Sequence, residues 1–198
     1  VCVLLDVGAN VDVKPLHLFQ FAVMGAAYAR GVLGVAEPRV GLVSIGEEAG
    51  KGSRRVQEAW PLLESSNLNF VGNIEGRDIP SGDVDVAVVD GFAGNVVIKF
   101  AEGLSRLVVD ILRESASGDP LGLVGGLLLR PALGRARRRM DYRAYGGAAL
   151  LGARGMVVIG HGRSDAVAVR SAIDVARKGV ENDVVGAIAA GVAAGPVS

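Results

Sequence analysis

The chain has 198 residues, with 21 Lys and Arg against 21 Asp and Glu, so its formal charge at pH 7 is zero. Half of it is apolar, 5% is aromatic and 29 residues are Gly, a composition that fits a globular α/β core and lies far from disorder. Balanced charge gives no ground for a nucleic-acid partner, and the lone Cys2 excludes an internal disulfide and fits a reducing compartment.

In chain order, Val3 to Val7 reads as a buried strand ending in Gly8-Ala9-Asn10. In the apolar run that leads into it, a buried, inert Cys2 thiol is expected rather than a nucleophile. Val1 to Leu5 lacks a basic leader, and with no initiator Met the chain is expected to begin inside a domain. A helix is predicted from Pro15, a favoured first-turn residue, to about Leu33. A strand over 40–45 then meets the Gly-rich stretch Gly46 to Gly52, followed by a helix from about Arg54 to Leu63. A short strand over 68–71 and a loop over 73–78 lead to a strand over 84–89. Asp90-Gly91-Phe92-Ala93-Gly94-Asn95 comes next, then a helical pattern from Val96 to about Leu112. Residues 118–143 interrupt the alternation, which resumes with a strand over 156–159 and a helix over 164–180. Residues 184–198 either fray or continue a helix. No apolar stretch reaches the roughly 18 to 20 residues that span a bilayer.

Strand and helix alternate, and the strands are continuous apolar runs, so the expectation is an α/β fold: a mainly parallel sheet covered on both faces, in three αβα layers. Four polar, Gly-bearing segments each follow a strand: Asp6 to Asn10, Gly46 to Gly52, Asp90 to Asn95 and Gly160 to Asp165. In a parallel sheet all four gather at the carboxyl edge, where open α/β sheets bind ligands. Each also has a plainer reading as turn chemistry. Asn95 is expected at the mouth of its helix, able to cap it or to bond a substrate, and that mouth favours an anion. The Lys51 loop fails the P-loop pattern, with three residues between Gly46 and Gly50 and Gly52 in place of Ser or Thr. With no Gly-x-Gly-x-x-Gly fingerprint either, nucleotide binding is disfavoured. His17 reads as structural; His161 follows a strand and could donate a proton. No Cys/His cluster has metal spacing, so no metal and no cofactor are expected.

Leu121 to Leu129 is apolar and is followed by Arg130, Arg135, Arg137, Arg138 and Arg139. Three readings stand: an amphipathic element touching an anionic membrane, a dock for an acidic protein, or a dimer interface with a solvated basic face. Leu127, Leu128, Arg135 and Arg137 to Arg139 would make the contact.

These motifs, in this order, resemble the bacterial phosphate acyltransferase of phospholipid synthesis, the PlsX family. The resemblance rests on Leu5 to Asn10, Gln20 to Gly25, Ile45 to Glu48 with Gly50 to Gly52, and Phe70 to Asp78. It also rests on Asp83 to Val86 leading into Asp90 to Asn95, on Asp141-Tyr142 with Tyr145 to Gly152, and on Ile159 to Gly162. Two departures stand out: the family's N-terminal portion, with an Asp-Ala-Met-Gly-Gly-Asp motif, is missing, and Ala148-Ala149 replaces a usual Ala-Pro pair. The resemblance implies transfer of a fatty acyl group from acyl-carrier-protein to inorganic phosphate. It further implies a fold like isocitrate and isopropylmalate dehydrogenases, with no nicotinamide, and a homodimer lying peripherally on the inner membrane face. The chain then reads as a single α/β domain over 1–198 with a protruding helical element over 118–143. Lys51 and Asn95 are the expected catalytic pair. Asp6, Gly8, Asn10, Gly46, Glu47, Asp90, Gly91, Gly94, Gly146, Gly147 and His161 are expected to bind substrate. Exchange of phosphate with acyl-coenzyme A, or a non-catalytic fragment that dimerises and binds, are the alternatives.

Overall fold

The computed structural model describes residues 1–117, 120–139, 146–162 and 164–196. Four strands, β1 (Val3–Leu5), β2 (Arg39–Val43), β3 (Asn69–Ile74) and β4 (Val86–Val88), form one parallel sheet in the order β1-β4-β2-β3. With every strand running the same way, the turns after all four lie at one edge.

Helix α1 (Pro15–Gly31) lies across this sheet because Leu18, Phe19, Ala22, Val23 and Ala26 recur on one helical face and bury it. They pack on Val40, Leu42, Val86 and Val88, joined by Ala59 and Leu63 of α2 (Arg54–Glu64), and this is the main core. On the opposite face of the sheet, Ile74, Val84 and Ala87 form a smaller cluster with Cys2, Leu4, Val43 and Ile79. Behind α1, α5 (Ala166–Glu181) and α6 (Val184–Ala194) close a third cluster through Val184 and Ile188. Residues 184–194, expected to fray or extend a helix, form a separate one. Asp183 at φ 43° breaks the chain, and its carboxylate accepts from Gly186 N at 3.2 Å.

Three expectations change. The strand predicted over 68–71 runs on to Ile74 as β3, taking Asn73 and Ile74 out of the expected loop. The strand predicted over 156–159 shortens to β6 (Val158–Ile159) and pairs antiparallel with β5 (Ala148–Ala149), outside the four-stranded sheet. So short an apolar run carries no periodicity to say which partner takes it. The helix predicted from Val96 begins at Gly91 as α3 (Gly91–Ser117). Its glycines look like a loop, yet they let the helix dock: a Cβ on Gly94 would run into the Asp6 carbonyl, an approach that only Gly allows. α3 packs on α4 (Pro120–Arg139) and meets the sheet at β1. Leu104, Leu107, Ile111, Leu127 and Leu128 on this pair are exposed. The side chains of Arg135, Arg137, Arg138 and Arg139, and all of residues 140–145, lie outside the described residues. Among the described residues, no helix is long and apolar enough to cross a membrane.

Candidate active site at the carboxyl edge of the sheet

Three of the four predicted loops leave neighbouring strands at this edge. After β1, Asp6 is 6% exposed and organises the turn. Its carboxylate accepts from Gly8 N at 3.0 Å, Ala9 N at 2.9 Å, Asn10 N at 2.7 Å and Asn10 Nδ2 at 2.9 Å. Burial pushes the Asp6 carboxyl up, but the bonds from Ala9, Asn10 and Gly8 outweigh it and hold the group below its ordinary value. Both oxygens are committed, so Asp6 shapes the turn instead of offering an acceptor to a ligand.

After β4, Asp90 caps α3: its Oδ1 accepts from Ala93 N at 2.9 Å and its carbonyl from Gly94 N at 2.9 Å. Gly91 N donates to the Asn10 carbonyl at 2.9 Å, which sews α3 to the first turn. This corrects the expected helix mouth. Asp90, not Asn95, is the cap, and the N–H groups of Gly91, Ala93 and Gly94 are already bonded. Asn95 is exposed a turn further on, and its amide lies 3.9 Å from where a Cβ on Gly8 would be.

After β2, the Gly46–Gly52 loop makes a tight turn in which Lys51 N donates to the Glu48 carbonyl at 2.9 Å. Gly46 is buried where a side chain would meet Glu48 Oε2 and the Lys51 stem. Glu47 faces Arg77 at 3.5 Å. Lys51 is exposed and makes no ion pair among the described residues. Ser53 then caps α2, accepting from Val56 N at 3.4 Å.

Between these turns lies a cleft of about 380 Å³. Its floor is Val13, Leu18, Leu42 and Val43, and its rim includes Ser53, Arg54, Arg55 and Asp90. Arg54 is held by Glu58 at 2.6 Å and Arg55 by Asp12 at 2.6 Å. Sequence reasoning missed Ser53, Arg54 and Arg55. The signal was there: two arginines and no acid in a helix's first turn oppose the macrodipole, and here Glu58 and Asp12 offset them.

The family model for the fatty acid synthesis protein matches residues 1–186. The chain belongs to that family. Among its relatives, the phosphate acyltransferase of Aquifex aeolicus is 51% identical over 181 residues, covering 91% of this chain and 54% of the relative. That of Pelotomaculum thermopropionicum is 53% identical over 91% of this chain and 53% of its own length. That of Desulforudis audaxviator is 50% identical over 96% and 57%. The chain spans about half the length of the curated relatives it matches.

The family's motifs divide between two places in this fold. Asp6, Gly8, Asn10, Gly46, Glu47, Lys51 and Asp90 lie on the three turns at the carboxyl edge, and Gly91, Gly94 and Asn95 on the start of α3 that leaves it. Gly146 packs instead against the Ser171–Ala172 backbone of α5, and Gly147 against the Ile159 carbonyl. Gly147 also lines a second cavity of about 810 Å³ along β1 with Cys2, Leu4 and Tyr28. His161 follows β6, whose separate pairing removes the argument that placed it with the other turns; its carbonyl accepts from Ser164 N at 2.8 Å. Burial pushes the Cys2 thiol up to about 11, so little thiolate is present at neutral pH.

Proposed function

We propose that this chain carries the phosphate site of an acyltransferase that moves a fatty acyl group from acyl-carrier-protein to inorganic phosphate, giving acyl-phosphate for phospholipid synthesis. The observation that carries this reading is the carboxyl-edge cleft, whose apolar floor is rimmed by Ser53, Arg54 and Arg55 directly after the turn that bears the exposed Lys51. Phosphate is already an anionic nucleophile at neutral pH, so the site must hold and orient it rather than deprotonate it. A phosphate oxygen attacks the thioester carbonyl, the carbonyl becomes an oxyanion, and the C–S bond then breaks with its electron pair leaving on sulfur. The thiolate takes a proton from water. Lys51 serves as the cation for phosphate or the oxyanion, and Asn95 as a neutral donor across the Gly8 turn. No cofactor is needed for this exchange.

The surrounding assembly belongs to the same proposal. The exposed Leu104, Leu107 and Ile111 of α3 suit burial against a second copy, giving a homodimer. Leu127 and Leu128, followed by the arginines of α4, suit peripheral contact with the anionic inner face of the membrane. An isocitrate dehydrogenase-like fold of three αβα layers is part of the same proposal.

Acyl-phosphate formation from palmitoyl-acyl-carrier-protein tests the central claim. It is measured with the 198-residue chain and with a hybrid that takes its remaining length from the Aquifex aeolicus relative. Activity in the hybrid that disappears on omitting phosphate supports the reading, while an inactive hybrid alongside an active relative removes it. Equal rates with acyl-coenzyme A would favour the phosphotransacetylase-like exchange.

A further inference from the structure

The stretch Phe70–Asp78 has no task in the chemistry above, yet its side chains reach the turn that carries Lys51. Between Val40 and Gly41 the β2–β3 register slips: Val40 pairs with Phe70 and Gly41 with Gly72, so Val71 is an extra residue in β3. Gly72, at φ 95°, provides the bend. A bulge re-aims every side chain after it. Here it sets Asn73 beside Leu42, on the α2 side of the sheet, and Ile74 beside Val43 on the other.

Asn73 is 5% exposed. Its Nδ2 donates at 2.7 Å to the Glu48 carbonyl, the same oxygen that closes the turn by accepting from Lys51 N. Its Oδ1 is buried without a protein partner, as is Ser44 Oγ below the same loop. An amide kept at a buried position with its carbonyl oxygen unpaired is costly, and the gain is the pinned turn. From the side, Arg77 meets Glu47 at 3.5 Å while Glu75 holds it at 2.7 Å. The guanidinium is 69% exposed, so this second tie is the weaker.

We infer that Asn73 is a positioning residue that fixes the Glu48–Lys51 turn from beneath, with Arg77 as a lesser lateral tie, so that Lys51 leaves the turn in one direction. The functional part of this inference rests on Lys51 being the phosphate cation. Hydrogen exchange in the 198-residue chain tests the positioning itself. In Asn73→Leu, near in size and free of polar atoms, and in Asn73→Asp, which cannot donate, residues 46–52 should exchange about tenfold faster, the equivalent of one lost hydrogen bond. Strands β2 and β4 should be unchanged. Unaltered exchange over 46–52 in both variants overturns the inference.

Kinetics of the hybrid give the second readout. Asn73→Leu should raise the KM for phosphate about tenfold, leave that for the acyl donor in place, and add nothing in a Lys51→Ala background. Full additivity of the two substitutions also overturns it. If Lys51→Ala alone leaves the rate intact, the phosphate-cation reading falls, and the exchange result still decides whether Asn73 holds the turn.

Discussion

At the amino end of the parallel sheet, Asp85 and Arg39 seal three strands together. The Asp85 carboxylate accepts from Arg39 N at 2.9 Å and Arg39 Nε at 3.0 Å, while Arg39 also reaches the Gly82 carbonyl at 2.7 Å. Val3 N of β1 adds a bond to the Asp85 carbonyl at 2.8 Å. At the carboxyl end the turns after β1 and β4 are locked together by Gly91 and Gly94, but the turn after β2 is left open: Lys51 makes no ion pair among the described residues, Ser44 and Asn73 keep unpartnered oxygens, and a cleft lies alongside. A parallel sheet collects all strand starts at one end and all strand exits at the other. The first end can therefore be closed for stability while the second is kept for chemistry.

The sharpest way to break this contrast is Gly94→Ala. The new methyl would collide with the Asp6 carbonyl and lift α3 off the first turn. Although Ala favours helix by about 1 kcal/mol, we expect a net loss of about 3 kcal/mol or more in urea unfolding. A variant as stable as the parent would mean that the turns at this edge are not locked together.

Next in size is Lys51→Ala, where acyl-phosphate formation by the hybrid should fall about 100-fold while the unfolding midpoint of the chain stays in place, because the side chain is exposed. Lost stability with retained rate would place Lys51 with the structural residues of the other end.

Asp6→Asn comes third. Losing the charge from a buried acceptor of four hydrogen bonds should cost about 1–3 kcal/mol at pH 7. The folded carboxyl lies below its unfolded value, so its contribution is full above about pH 4 and disappears as pH falls through the folded value. Acid titration of stability should therefore be flatter in the variant; an unchanged slope would deny the Asp6 turn its electrostatic role.

The smallest effect is expected from Asp85→Asn at the sealed end. The Arg39 hydrogen bond lowers the Asp85 carboxyl, so the sign with pH is the same. Yet Arg39 is 42% exposed and screened, and about 1 kcal/mol should be lost, less in high salt. Loss of phosphate-dependent activity without loss of stability would erase the distinction between the ends.

Much of this was legible in the chain. The apolar runs over 3–7, 40–45 and 84–89, each followed by Gly and polar residues, announced a parallel sheet and the place of its turns. Three features were hidden. Gly91 and Gly94 read as a loop because isolated helix propensity cannot anticipate the carbonyls that press against them. Arg54 served only to mark the start of a helix, because the cleft that it and Arg55 border exists only once α1 and β4 are placed. The strand near 158 read as a fifth member of the sheet because four apolar residues carry no partner label.

Residue order and local periodicity are enough to give the alternation of strand and helix, the chemistry available in each turn and the family to which the chain belongs. The tertiary structure alone decided which turns meet. It set β4 between β1 and β2, gave the cap of α3 to Asp90, and slipped β3 by one residue so that Asn73 reaches the Glu48 carbonyl. Such contacts join residues far apart in the chain, and no local pattern records a distance that only packing creates.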